Sequence, residues 1–399
     1  MSYKYLLDIA LILFSTKIFG IIAKKVQLPQ VVGALIAGLL IGPAVFDLLE
    51  TTRFISQVAE LGVIVIMFAA GMETDVTNLK NAGKKGFIIA LCGVLVPLFL
   101  GAGLSYFFNT GDLAIPGDRI LQNFFIGVIL TATSVSITVE TLKELGKLNS
   151  PVGNTILAAA LIDDILGLIA LTLITSMATT DVVISPYVVL AKIIAFFIFA
   201  TILGLLARKF LIKLDATVPD NLKDHQLFSI IALVLCLVMS FCAEHFFGVA
   251  DITGSFIAGL VIGSLPQKEK ITDHVEPLSF MLLTPIFFAS IGISVVIPAM
   301  NAEIIIFAIS LVVVALASKL IGCGIGAKLC GFNKKESVQI GVGMICRGEV
   351  ALIVANKGIA MNLMPPAFFG PVIIMVIVAA IFTPILLKQV FKNEPVVQH

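Results

Sequence analysis

The sequence has few charged residues and no tryptophan. Charged side chains make up 13% of its 399 residues, apolar residues make up 59%, and the mean hydropathy is +1.11. A soluble domain carries about 25% charged residues, and even a large one buries only about three quarters of its chain surface. These proportions exclude a soluble enzyme, a disordered chain and a nucleic-acid-binding protein. They predict an all-α polytopic protein whose main surroundings are the lipid bilayer.

The residues of metal and disulfide chemistry are also scarce. The six cysteines form no CxxC pair and lie within or beside apolar stretches, and the four histidines lie at stretch ends or at the terminus. We therefore expect ordinary packing for the cysteines, no metal centre built from cysteine or histidine, and no cofactor.

The apolar stretches predict about thirteen membrane spans, since one span needs about 20 apolar residues. They lie at about 5–23, 30–48, 54–72, 86–108, 120–141, 152–178, 184–213, 225–247, 250–265, 277–296, 303–331, 336–357 and 366–388. Most of the 26 Lys and Arg residues fall in loops after odd-numbered spans, as at Lys24–Lys25, Lys84–Lys85 and Lys334–Lys335. Because cytoplasmic loops collect basic residues, we expect an external N-terminus and a cytoplasmic C-terminus in the cell membrane.

An internal repeat relates the two halves of the chain. VGALIAGLLIGP from Val32 resembles TGSFIAGLVIGS from Thr253, and FAAGM from Phe68 is followed in the second half by FASIGI from Phe288. Partner spans are seven apart in order, and because seven is odd they cross the membrane in opposite directions. The pattern predicts two inverted six-helix repeats, spans 1–6 and 8–13, as in transporters with a site near the midplane.

Two adjacent carboxylates, Asp163 and Asp164, fall in the middle of the sixth span, in ALIDDILGL. Such groups cost several kcal/mol inside a membrane unless they face a water-filled cavity or a partner. Adjacent helix positions point about 100° apart, so one Asp can face a cavity while the other faces a neighbouring helix. The pair predicts a site that binds protons and, through its oxygen atoms, a hard cation.

Further polar residues lie deep in three other spans. Lys319, near the centre of span 11, is interpreted as a salt-bridge partner of one of the two Asp; the alternative is a lysine that extends to the interface. Thr131, Thr133 and Ser134 of span 5 can satisfy backbone groups where a helix breaks or coordinate a cation, although ordinary hydrogen bonds between helices are the alternative.

Span 12 contains the charged sequence CRGEV. When the repeats are aligned, Thr133 falls opposite Arg347, and the glycine between Arg347 and Glu349 indicates a break in this helix. These two charges could neutralise the facing ends of half-helices in spans 5 and 12. A purely structural role is the alternative.

With these residues the sequence resembles the monovalent cation:proton antiporters, in particular bacterial sodium/proton antiporters of the second cation:proton antiporter family. The likeness covers nearly the whole chain. Four features carry it: LAAALIDDILGL around Asp163–Asp164, Lys319, GMICRGEVALIVA around Arg347 and Glu349, and LPQVVGALIAGLLIGP near the start.

The resemblance implies a fold and a division into domains. It implies thirteen helices, with broken helices in spans 5 and 12 that cross at mid-membrane. A panel domain that forms a homodimer comprises 1–76 and 225–296, a core transport domain comprises 84–178 and 302–388, and a linker helix comprises 184–213. We expect no C-terminal nucleotide-binding domain in this chain, because few polar residues follow the last span and no GxGxxG follows a strand.

The resemblance also implies roles. Asp164 matches the carboxylate that binds the sodium ion and the proton, Asp163 matches the partner of Lys319, and Thr131 and Thr133 match the unwound segment near the ion. The expected function is sodium/proton antiport by an elevator movement, in pH homeostasis. Potassium/proton antiport, a cation channel-like permease and a sodium-coupled solute symporter are the alternatives.

Overall fold

The fold is described by a computed structural model over residues 3–26, 28–74, 76–178, 186–217, 225–295 and 300–392. These residues form α-helices with short 3-10 and π-helical stretches and no β-strand. The helices are α1 (Lys4–Lys25), α2 (Gln30–Ile41), α3 (Arg53–Glu73), α4 (Val76–Phe108), α5 (Arg119–Thr131), α6 (Val135–Glu144), α7 (Pro151–Ala178), α8 (Pro186–Thr217), α9 (His225–Cys242), α10 (Asp251–Gly263), α11 (Lys268–Leu278), α12 (Thr284–Ile293), α13 (Ala302–Leu329), α14 (Lys334–Gly343), α15 (Glu349–Ala360) and α16 (Phe369–Phe391). Of the predicted domain segments, residues 1, 2, 27, 75, 184, 185 and 296 lie outside the described residues.

The prediction of an all-helical polytopic protein is confirmed. Ten helical segments of the described chain are long and apolar enough to cross a membrane. Three shorter apolar helices accompany them, at Gln30–Ile41, Asp251–Gly263 and Val350–Ala360.

Side chains at the helix starts explain several boundaries. The carboxylate of Asp118 accepts the backbone N–H of Ile120 at the start of α5, at 2.8 Å. Asn333 and Glu336 form a reciprocal capping box at the start of α14, each accepting the other's backbone N–H at 2.9 Å. Such caps satisfy N–H groups that have no partner within the first turn.

The second helix is shorter than its apolar stretch suggests. The stretch extends over 30–48, but α2 ends at Ile41. Gly42 is followed by Pro43, which lacks an N–H donor and disfavours a helical conformation in the residue before it. A prediction from hydrophobicity alone therefore overestimates the length of this helix, because it takes no account of Pro43.

The helices pack in two groups of neighbours. In one group α4 packs against α13, α7 and α5, and α13 also packs against α14 and α16. In the other group α2 packs against α1 and α12, and α10 packs against α3 and α9. The first group contains Asp163, Asp164, Lys319 and Arg347, so it is the group that positions the candidate site.

Glycines allow the closest approaches in the second group. A Cβ atom added at Gly38 of α2 would collide with the backbone of Ala289 in α12, and one added at Gly259 of α10 would collide with the backbone of Phe68 in α3. The two helix pairs can lie this close because neither glycine carries a side chain. Gly38 and Gly259 occupy matching positions of the repeated segments, so each half of the chain has one such close contact.

Candidate functional site: a buried ion pair beside two broken helices

Asp163 is held from two sides in the middle of α7. The ammonium group of Lys319, from α13, donates to Oδ1 of Asp163 at 2.5 Å, and the hydroxyl of Thr133 donates to Oδ2 at 2.8 Å. The side chains of Lys319 and Asp163 are 0% and 1% exposed. Both carboxylate oxygens are thus engaged in a dry environment, where hydrogen bonds between charged groups are strong. Asp164, the next residue of the helix, is only partly buried.

Two helix interruptions lie against each other near this pair. Residues 132–134 separate α5 from α6, and residues 344–348 separate α14 from α15. The backbone N–H of Ser134 donates to the carbonyl of Cys346 at 3.0 Å, which joins one interruption to the other. The sequence-based expectation of a break in each of these spans agrees with the structure.

Arg347 connects the ends of the half-helices. Its Nη2 donates to the carbonyl of Leu130 in the last turn of α5, at 2.6 Å. Its Nη1 lies within hydrogen-bond distance of the carbonyls of Met344, Ile345 and Cys346, at 3.2–3.4 Å. The last carbonyls of a helix lack partners within it and carry partial negative charge, so a guanidinium stabilises both ends. Arg347 is 0% exposed.

The other predicted residues of the breaks have local roles or lie outside the described part. The hydroxyl of Thr131 returns to the carbonyl of Val128, at 2.7 Å. The hydroxyl of Ser134 lies 3.4 Å from that of Ser136. Glu349 is the first residue of α15, and its side chain is not among those that the structure describes.

Sequence reasoning missed a glycine beside the ion pair. A Cβ atom placed on Gly93 of α4 would lie 3.6 Å from both Asp163 Oδ1 and Lys319 Nζ, and 2.5 Å from the sulfur of Cys323. A side chain at Gly93 would therefore collide with Cys323 and only touch the ion pair. A single glycine in an apolar helix carries no signal that would identify such a neighbour.

A second charged cluster lies at the C-terminal end of α6. The ammonium of Lys143 is 2.6 Å from a carboxylate oxygen of Glu73 and 2.6 Å from one of Glu276. The neighbouring Glu144 accepts the backbone N–H of Gln30 with both oxygens, at 2.8 and 2.9 Å, and so caps the start of α2. These residues lie at the ends of separate spans, and sequence spacing alone does not bring them together.

Comparison with known proteins decides the family. The family model described as sodium/hydrogen exchanger, transmembrane, matches residues 10–393. The chain belongs to this family. The prediction of a monovalent cation:proton antiporter is confirmed, and the protein is a transporter rather than an enzyme.

Relatives resemble this antiporter over nearly their whole length. The Na(+)/H(+)-K(+) antiporter GerN of Bacillus cereus is 36% identical over 98% of this chain and 97% of its own. The Na(+)/H(+) antiporter of Enterococcus hirae is 34% identical over 96% of this chain and 97% of its own. The sodium proton antiporter MjNhaP1 of Methanocaldococcus jannaschii shares the fold, with a TM-score of 0.73 at 17% identity over 98% of this chain and 97% of its own.

Proposed function

We propose that this antiporter exchanges sodium ions for protons at the Asp163–Asp164 pair. The observation that carries the proposal is the different burial of the two carboxylates. Asp163 is buried and held by Lys319 and Thr133. Asp164 lies about 100° around the same helix and is partly exposed. Asp164 is therefore the group at which an arriving sodium ion and a proton compete.

Competition at one carboxylate is sufficient to couple the two gradients. A bound sodium ion excludes the proton, and a bound proton excludes sodium. A bare carboxylate is costly to carry through the membrane interior, so only the loaded site moves. Exchange then needs no ATP and no cofactor.

The moving part in this proposal is the core domain, residues 84–178 and 302–388. It carries the ion pair and both helix interruptions past a panel domain, residues 1–76 and 225–296, in an elevator movement. The helix 184–213 links the halves. The contacts of α4 with α5, α7 and α13, and of α13 with α14 and α16, support this division.

The glycine contacts support an arrangement of thirteen spans in two inverted repeats. Gly38 meets Ala289, and Gly259 meets Phe68. In the repeat alignment Gly38 corresponds to Gly259 and Phe68 corresponds to Phe288, the residue before Ala289, so the contact between these two segments is made twice with the repeats exchanged. A two-fold relation between the repeats would produce this exchange.

The proposal includes the setting of the protein. The panel domain forms a homodimer in the cell membrane, with the N-terminus outside and the C-terminus in the cytoplasm, and the activity serves pH homeostasis. The broken helices cross at the midplane, and Thr131 and Thr133 lie near the ion. Glu349, as the first residue of α15, adds negative charge at a helix start, where such charge is favourable.

Potassium/proton exchange is the second candidate, because the Bacillus cereus relative GerN is named as a Na(+)/H(+)-K(+) antiporter. The two candidates share the site and differ in the cation that Asp164 accepts. Antiport in proteoliposomes with sodium, lithium or potassium gradients separates them.

The test of the site uses Asp164→Asn in purified, reconstituted protein. We expect the variant to lose sodium-driven proton movement while it still purifies as folded protein. In the wild type, a lower pH should raise the sodium concentration needed for half-maximal rate, since protons compete for the same group. Antiport by Asp164→Asn at the wild-type rate would rule out this site. Sodium flux that needs no opposing proton flux would indicate a channel-like permease.

A further inference from the structure

A cavity of about 620 Å³ lies between α1, α2, α6 and the start of α12. Its polar lining residues are Thr16, Lys17, Gln30, Glu140, Lys143, Glu144 and Thr284, and the other lining residues are apolar. A water molecule occupies about 30 Å³ in the liquid, so the cavity has room for an ion with its hydration shell.

Glu140 is the unusual member of this lining. It is only 8% exposed, yet it makes no hydrogen bond and no ion pair within the described part of the chain. The nearest ammonium along α6, that of Lys143, is already 2.6 Å from both Glu73 and Glu276. A buried carboxylate that remains charged needs a counter-charge, and a cation in the cavity would supply it.

The charges around the cavity favour a cation. The lining carries two carboxylates, those of Glu140 and Glu144, and two ammonium groups, those of Lys17 and Lys143. Glu73 and Glu276 add negative charge close to Glu140. A concave surface with an excess of one sign concentrates ions of the opposite sign. Because the cavity leaves the ion its water, this site would collect monovalent cations with little selectivity.

Polar side chains connect the cavity with the Asp pair. Ser136 precedes Glu140 by four residues in α6, so both lie on one face of the helix. The hydroxyl of Ser136 is 3.4 Å from that of Ser134, and the neighbouring Thr133 donates to Asp163. The face of α6 that begins at the cavity therefore ends at the helix interruption beside the site.

We infer that Glu140 forms a second cation site, which collects hydrated sodium from the cytoplasm and supplies it to Asp164. This inference rests on the proposed function and on the proposed orientation, which places the end of α6 on the cytoplasmic side. It gives Glu140 a role on one side of the membrane only.

The experiment compares the two faces of the membrane. Antiport is measured in everted and in right-side-out vesicles, and the half-saturating sodium concentration is determined on each face. We expect Glu140→Gln to raise this concentration about three- to tenfold on the cytoplasmic face, with the external value and the saturated rate retained. Glu269→Gln is the matched control, since it removes an exposed carboxylate from the start of α11, and it should leave both values unchanged.

An equal rise on both faces, or no rise, would overturn the inference. If Glu140→Gln is not inserted into the membrane, Glu140→Asp is measured instead, because it keeps the carboxylate and shortens the side chain by one methylene. Glu140→Asp should raise the half-saturating sodium concentration about twofold on the cytoplasmic face and leave it unchanged on the external face. The proposed function fails separately if the Asp164→Asn variant still exchanges sodium ions for protons. The inference fails by itself when exchange depends on Asp164 and the two faces respond alike to Glu140→Gln.

Discussion

Lys319 and Asp163 form a buried ion pair between α13 and α7, with Nζ 2.5 Å from Oδ1. The residues are 156 positions apart in the chain and belong to different repeats. Their contact occupies Asp163 and leaves the cation and the proton to compete at Asp164 in our proposal. Substitutions at this pair therefore test the stability of the folded protein and its transport activity together.

Removal of the lysine should destabilise the protein. Lys319→Ala leaves the carboxylate of Asp163 buried without its cation, and breaking such a pair costs about 3–5 kcal/mol. We expect a lower melting temperature of the purified protein, and partial recovery in the Lys319→Met/Asp163→Asn double variant, where no charge is left. Lys192→Ala removes an exposed lysine from α8 and should have a small effect. Equal melting temperatures for Lys319→Ala and wild type would contradict this account.

The same pair predicts the response to voltage. If Asp163 and Lys319 exchange a proton in addition to the one at Asp164, two protons move for each sodium ion and one net charge crosses the membrane per cycle. We expect an imposed membrane potential to change the rate of antiport in proteoliposomes. If the wild-type rate of antiport is the same whether or not the membrane potential is clamped, the two-proton cycle is excluded.

Arg347 should be required for the geometry of both interruptions. Arg347→Ala removes the donors that serve carbonyls of α5 and of the segment after α14, and each buried carbonyl left without a partner costs about 1–3 kcal/mol. We expect a marked loss of thermal stability and of antiport. Arg347→Lys should restore only part of both, because one ammonium cannot reproduce the planar fork of donors. Wild-type stability in the alanine variant would show that the hydrogen bonds are unimportant.

Repeat-related glycines should respond alike to substitution. Gly38→Ala and Gly259→Ala each place a Cβ atom against the backbone of a neighbouring helix, so both should lower the yield and stability of folded protein. Gly103→Ala is the control: no atom lies within 4 Å of its added Cβ, and alanine in place of a helical glycine stabilises by about 0.5–1 kcal/mol. Thermal unfolding of the three variants measures the difference. Normal stability for Gly38→Ala would contradict the close contact.

Much of the fold and of the candidate site could be predicted from the sequence. A charge inside a membrane is costly, so Asp163, Asp164, Lys319 and Arg347 stood out as soon as the apolar stretches were recognised. The interruption near Arg347 was indicated by Gly348, since glycine weakens a helix. Helix ends were less predictable, as α2 shows, because a proline can end a helix within an apolar stretch.

The sequence by itself determined that the chain is a helical membrane protein with a few charges at depth, because hydrophobicity and the cost of burying charge depend on residue type. Only the tertiary structure decided the partners. It pairs Lys319 with Asp163, a choice that residue spacing left open and only the resemblance implied, directs Arg347 to the carbonyl of Leu130, and places Glu140 at a cavity. These contacts join residues far apart in the chain, and their selection depends on how the helices pack rather than on local composition.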